Sequence, residues 1–303
     1  MRISMTYGIK QYQEAFLEAQ ERVGKEVTKN WAVFGQTPAD QLKKAYSQPG
    51  FDPETRHYCF KDGELIGFLT SEVLEEVDGV RKANLEFPLI LPGHEEVESL
   101  LYEKAIKVLK KKGVTAVRSR VSDSWGKTVE MAERYGYAFL EERAVDYSTD
   151  VDAVEIKDMP EHESMIDYDH QRDCKQMIEI FIREYDQTPE QARTNFEAID
   201  KASDQVVCHL VIRKGEVIVG RALALRNEED PNQAYTGNIY VTDKDQRLPF
   251  MMQILKICKE KGIKTLHVPL YGKQLSQKDQ FSNIFESLGF SQTTTISYYE
   301  KEI

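Results

Sequence analysis

The feature that most constrains this chain is that it repeats itself at a nearly constant interval. Gln36-Thr37-Pro38 returns as Gln187-Thr188-Pro189, 151 residues on, and Gly63-Glu64-Leu65-Ile66 returns as Gly215-Glu216-Val217-Ile218, 152 on. The pair Lys112-Gly113 returns as Lys261-Gly262 at an offset of 149, and Tyr135-Gly136-Tyr137 as Leu288-Gly289-Phe290 at 153. Landmarks in the same order at so steady a spacing mean one fold built twice. A chain of 303 residues has the length for two domains, each with its own core.

The landmarks say what each half contains. Thr37 and Thr188 are placed as helix N-caps, with Pro38 and Pro189 at the first helical position, where a missing N–H costs nothing. "HYCFKDGELIGFLTSEVL" and "VVCHLVIRKGEVIVGRALAL" each read as two strands joined by a tight turn, at Asp62-Gly63 and Lys214-Gly215. A third strand follows in each half, "RKANLEFPLIL" and "QAYTGNIYVT". Next comes an amphipathic helix, with Val97, Leu100, Leu101, Ala105 and Val108 on one face in the first copy and Phe250, Ile254, Leu255 and Cys258 in the second. Gly113 and Gly262 end these helices. Strands "VTAVRSR" and "IKTLHVPL" come after them, then helices "WGKTVEMAERYG" and "QKDQFSNIFESLG", then terminal strands.

Each half thus reads helix, helix, three strands, helix, strand, helix, strand, strand. That order predicts an α+β fold: a mixed, mostly antiparallel sheet with one parallel crossover, flanked by helices. The boundaries expected are 1–150 for the first domain, an acidic linker at 151–163, and 164–303 for the second.

Composition narrows the function. A formal charge of -11 opposes a nucleic-acid backbone as partner. No apolar run approaches the length of a membrane span, and the N-terminus has no basic-then-apolar signal, so a cytoplasmic protein without membrane partners is expected. Cys59, Cys174, Cys208 and Cys258 stand far apart without paired metal or redox spacing, so they read as reduced residues and no metal is expected. No His-Glu-x-x-His, Gly-x-Ser-x-Gly or Walker pattern is present.

The repeated element order resembles the GCN5-related N-acetyltransferase (GNAT) superfamily in its tandem form, as in mycothiol synthase-like proteins, over nearly the whole chain. In that family the third strand ends in an apolar residue, and a Gln/Arg-x-x-Gly-x-Gly/Ala loop opens the next helix. Its backbone N–H groups hold the coenzyme A pyrophosphate, an anion site at a helix N-terminus. On the second half, "YVTDKDQRLPFMMQIL" places Tyr240 and Val241 at the strand end and Gln246 at the Gln/Arg position, followed by Arg247, Leu248, Pro249, Phe250 and Met251. Pro249 and Met251 stand where the glycines would be, removing one donor and adding a side chain against an approaching phosphate. The first half gives "LPGHEEVESLL", where Gly93 and His94 open the helix and Glu95 and Glu96 would repel a pyrophosphate. The resemblance therefore implies acetyl-coenzyme A as co-substrate, held by the second copy.

The family's tyrosine acid is replaced by Phe285 in the second half and by Ala132 in the first. Tyr135 and Tyr271 are the nearby substitutes, and Tyr271 is the one carried forward as catalytic. Acyl transfer to an amine needs a base near neutral pH, and Glu86, inside "NLEFPLI", is the candidate if it faces a pocket. His57 and His209 occupy matching places, which points to a shared structural role. The expected activity is N-acetyl transfer by direct attack of a small-molecule or peptide amine. The alternatives are a catalytically silent tandem module that binds a ligand or partner, and an aminoacyl transferase fed by tRNA, which the acidic charge disfavours. Neither the acceptor nor an oligomeric state can be read from these residues.

Overall fold

A computed structural model describes residues 7–156, 165–185, 187–228 and 230–303. It divides into two compact units: Met1–Glu142 with Thr294–Ile303, and Arg143–Thr293.

The first unit contains β1 (Tyr7–Gln11), α1 (Leu17–Thr28), α2 (Ala39–Tyr46), β2 (Arg56–Lys61), β3 (Glu64–Val73), β4 (Lys82–Leu85), β5 (Leu89–Ile90), α3 (Glu98–Lys111), β6 (Ala116–Ser122) and α4 (Thr128–Arg134). Its sheet runs β1-β2-β3-β4-β6, antiparallel except for the β4–β6 pair. β7 (Ala138–Asp150) ends the first half of the sequence. The second half repeats the pattern with β8 (Met165–Asp167), α5 (His170–Tyr185), α6 (Pro189–Lys201), β9 (Val206–Lys214), β10 (Val217–Arg226), β11 (Gln233–Val241), α7 (Arg247–Glu260), β12 (Thr265–Tyr271), α8 (Lys278–Ser287) and β13 (Ser291–Glu302). The second unit's sheet runs β8-β9-β10-β11-β12, again with a single parallel pair, β11–β12.

The units differ from the expected sequence ranges in how each sheet is finished. In the first unit β6 is paired antiparallel by residues 296–302 of β13, and in the second β12 is paired by residues 144–150 of β7. Each half of the sequence therefore hands its last strand to the other unit. One long terminal strand stands in each half where two were expected, and each half opens on a short strand, β1 or β8, that was not expected. Of the stretch expected as a linker, Val151 and Val154 are buried in the second unit's core, whereas 157–164 lies outside the described residues.

Helices cover both faces of each sheet. In the first unit, Val97, just before α3, and Leu101, Ala105 and Leu109 of α3 are buried against Leu69, Leu85, Val117 and Val121, while α1 packs Val23 on Tyr58, Leu65 and Phe68. The buried stripe is rotated from the expected one: Leu100 is 47% exposed, and Leu109 closes the i, i+4 ladder instead of Val108. In the second unit, α7 buries Phe250, Ile254, Leu255 and Cys258 as expected, and α5 and α6 cover the opposite face with Met177, Phe181 and Phe196.

The caps differ between the copies. Thr188 forms a full capping box with Gln191 at the start of α6, with Pro189 next. At α2 the N-cap is Pro38, and the Ala39 N–H is satisfied instead by Glu21 Oε2 at 2.6 Å. The first hairpin turns at Asp62 and Gly63, both with positive φ. The second turns at Gly215-Glu216, one residue later than expected, since Lys214 still pairs with Val217.

Candidate functional sites

The site-forming event in the first unit is a break in the third strand. β4 pairs with β3 as far as Leu85–Ser71, and pairing resumes at Leu89–Phe68, so Glu86, Phe87 and Pro88 stand opposite only Leu69 and Thr70. Pro88 has no N–H for the ladder, and the extra residue makes a bulge. On its other edge β4 stays parallel to β6 only through Asn84–Arg118, after which Ser119 Oγ donates to the Leu85 carbonyl at 2.5 Å. Glu86 emerges where the strands part.

Glu86 is half-buried, and Arg120 Nε, from β6, donates to its Oε1 at 2.9 Å. Both residues line two adjoining cavities. One, of about 320 Å³, is walled by Trp31, Phe34, Tyr46, Phe68 and Trp125. The other, of about 460 Å³, is lined by Arg56, Arg118, Glu72, Asn84 and Tyr298. Volumes of this size suit a small ligand. The start of α3 does not invite an anion: Glu95 Oε1 accepts from the Gly93 N–H at 3.2 Å, and Glu96 is bonded by the Tyr7 hydroxyl. Both carboxyls are held below their ordinary range, Glu95 by its own backbone N–H first and that of Gly93 next, Glu96 by the Tyr7 hydroxyl first.

In the second unit, β11 and β12 are parallel only from Gln233–Thr265 to Tyr235–His267. The widening gap is bridged by Gln274 Nε2, which donates to the Ile239 carbonyl. Tyr271, the last residue of β12, lines a cavity of about 660 Å³ with Arg221, Phe181, Gly237 and Lys273. Burial raises its hydroxyl above the usual range. Arg221 Nε donates to His209 Nε2 at 3.2 Å and Nη1 to the Gly237 carbonyl at 3.1 Å, with the guanidinium 5.1 Å from the Phe181 ring.

His209 is therefore a neutral acceptor, stacked on Tyr168 and lowered to about 3 by burial first and Arg221 next. His57 is fully buried and lowered to about 4, burial again being the largest cause. Both histidines are structural. Phe285 and Ala132 are core residues, and the Tyr135 hydroxyl donates to Glu98 Oε1 at 2.8 Å while its ring stacks on Tyr102 at 3.7 Å.

The loop before α7 is built differently from its counterpart. Asp243 caps the short turn by accepting from the Asp245 N–H at 3.0 Å. Pro249 lies in the first turn of α7, where N–H groups lack helical partners. Phe250 and Met251 are buried in the core, so the Met251 side chain does not wall off the loop as its sequence position suggested. Leu248 is exposed, Val241 rests against the core, and the Tyr240 hydroxyl accepts from Arg183 at 3.0 Å.

Arg247 carries the site's distinctive electrostatics. It is only 8% exposed, and its guanidinium reaches the amide oxygens of Gln277 (3.0 Å) and Gln280 (3.3 Å) and lies 4.5 Å from the Phe281 ring. No carboxylate pairs with it among the described residues, and burial lowers its pKa from the ordinary arginine value. Arg247 Nε and Gln246 Oε1 are buried without partners. A buried cation ordinarily has a counter-anion. This helix start therefore fits an anionic group better than the first copy's does.

Sequence reasoning selected Glu86, Tyr271 and Arg247 but passed over Arg120, Arg221 and the aromatic wall Trp31, Phe34 and Trp125. Only alternation along β6, which puts Arg118 and Arg120 on one face, signalled any of these. Among the described residues, no helix is long and apolar enough to cross a membrane, and no group of three or more His, Cys, Asp or Glu is placed to hold a metal ion.

No family model matches the sequence, and no curated protein matches it. Solved structures do resemble it. A GCN5-related N-acetyltransferase from Sphaerobacter thermophilus aligns at TM-score 0.63 and 12% identity, over 98% of this chain and 95% of that one. A tandem GNAT protein from the clavulanic acid biosynthesis pathway gives 0.63 and 13%, over 98% of both. A GNAT-family acetyltransferase from Colwellia psychrerythraea gives 0.61 and 12%, over 97% and 99%. The chain has the tandem GNAT fold.

Proposed function

We propose that this chain is an acyl-coenzyme A dependent N-acetyltransferase acting by direct transfer on a small amine or an amino-terminal group. The observation that carries the reading is Arg247, a buried guanidinium without a carboxylate among the described residues, at the helix start that corresponds to the pyrophosphate loop of the family this chain resembles. In the second unit, Tyr240, Val241 and residues 246–251 form the cofactor loop. Arg247 supplies the charge, and Leu248, Pro249, Phe250 and Met251 supply the backbone and its packing. Acetyl-coenzyme A, when bound, would contribute a thioester whose acyl carbon is open to attack by the amine, with coenzyme A leaving as the thiolate. Tyr271 is the group we assign to proton donation to a departing thiolate. In the first unit, Glu86 is assigned to hold an amine in that unit's own cleft and to accept its ammonium proton. A cytosolic location accords with this chemistry.

A second reading, a catalytically silent ligand-binding module, is favoured by a specific contact. In both copies the chain's own carboxylates, Glu95 and Asp243, occupy amides at the loop. Thiol release from acetyl-coenzyme A, measured against a panel of small amines, separates the two. The transferase reading expects amine-dependent release that falls in Glu86→Gln and Tyr271→Phe. Release with no amine of the panel would support the silent module.

A further inference from the structure

In the first unit the two cavities meet at Glu86 and Arg120 and make one cleft with an aromatic end and a cationic end. At the aromatic end, the Trp31 and Trp125 planes lie within 7° with centroids 5.7 Å apart, and Phe34 stands edge-on to both. Trp125 is fixed by its indole N–H, which donates to the Ala32 carbonyl at 2.7 Å.

The segment carrying this wall is held against its own preferences. Val33, a β-branched residue, has φ 55°, a conformation such residues avoid. Gly126 has φ 53°, and a Cβ there would stand 3.3 Å from Trp31 Nε1. Gly24, inside α1, leaves the space Gln36 fills: a Cβ would lie 2.0 Å from Gln36 Oε1. Strain and absent side chains concentrated around one pocket mark a built site.

The cationic end gathers Arg56, Arg118 and Arg120 against Glu72 and Glu86. Arg120 pairs with Glu86, but neither Arg56 nor Arg118 has a carboxylate at ion-pairing distance among the described residues, and Arg118 Nε is buried without a partner. In a chain of net charge -11, a cleft with surplus arginine selects an anion. Arginine presents a planar fork suited to a carboxylate. Glu86, beside it, suits an ammonium group.

We propose that this cleft binds a free α-amino acid with a planar aromatic side chain. The ring lies against Trp31 and Phe34, which the buried Trp125 backs, the carboxylate is taken by Arg118 and Arg120, and the ammonium group by Glu86. The inference deepens the transferase reading by naming its acceptor class, and it rests on that reading only for the acyl transfer that comes after binding. An amine without a carboxylate leaves Arg118 uncompensated, and an acid without an amine leaves Glu86 unmatched.

Calorimetric titration of the full chain with L-tryptophan, tryptamine and indole-3-propionate tests it. L-tryptophan binds at least about tenfold more tightly than either analogue, the gap one charge-assisted contact supplies. Arg118→Gln weakens L-tryptophan by about tenfold and leaves tryptamine unchanged, with thermal unfolding checking that the variant is folded. Tryptamine binding as well as L-tryptophan, no binding of L-tryptophan, or an Arg118→Gln variant with unaltered selectivity overturns the proposal. Acetyl transfer to simple amines without L-tryptophan binding removes this inference and spares the transferase reading. L-tryptophan binding with no acetyl-coenzyme A turnover does the reverse.

Discussion

Arg120 reaches across from β6 to the Glu86 carboxylate at 2.9 Å, at the point where β4 turns away from it. The pair joins the aromatic and cationic parts of the first unit's cleft, and both members are about a third exposed. Such a pair contributes little to stability, with a median below about 1 kcal/mol. Arg120→Gln should therefore leave the urea midpoint nearly unchanged while weakening ligand binding in the cleft. A large loss of stability would make the pair a structural device instead.

The rotated face of α3 gives a sharp contrast between neighbours. Leu101 is fully buried and Leu100 half exposed, so Leu101→Ala should cost about 2–5 kcal/mol and Leu100→Ala about 0.5 kcal/mol or less in urea unfolding. The stripe that simple counting of apolar residues suggests, with both leucines on one face, would make the two costs alike.

The caps differ in the same testable way. Thr188→Ala removes a side chain bonded to the Gln191 N–H and should cost about 1 kcal/mol. Thr37→Ala should cost far less, since Glu21 serves the corresponding helix. Paired denaturation curves check both.

His57 makes stability depend on pH. Its folded value is lowered to about 4 from the ordinary 6.5, so the unfolded chain binds the extra proton between those limits. Stability is full above about pH 6.5, falls as pH drops, and levels below about pH 4, by an amount on the order of 3 kcal/mol. His57→Gln should flatten this part of the profile. His209, lowered to about 3, extends the decline to more acidic pH.

Much of the fold was legible because its punctuation is chemical. Gly63, Gly215, Gly113 and Gly262 sit at turns and helix ends with positive φ, and the repeat doubled the weight of each. The exchange of terminal strands was not legible, because the residues of β7 and β13 suit a strand equally in either sheet. The site was only half legible. Glu86 stood out as a charge within an apolar strand, but its orientation depends on the bulge at Pro88. Arg120 and Trp125 come from distant segments that only the folded sheet brings beside it. Met251 misled because a position occupied by glycine in a motif can still point its side chain into the core.

The buried, uncompensated cation at α7 is central to the proposed chemistry. Arg247→Met keeps the apolar stem and deletes the charge, so it should retain or raise thermal stability, as removing an unpaired buried ion does. The most direct measurement is calorimetric titration of acetyl-coenzyme A into the wild type and into this variant. Saturable binding by the wild type, weakened about tenfold or more in Arg247→Met, is the expected result. No binding by the wild type, or equal binding by the variant, would contradict a cofactor site at this helix start.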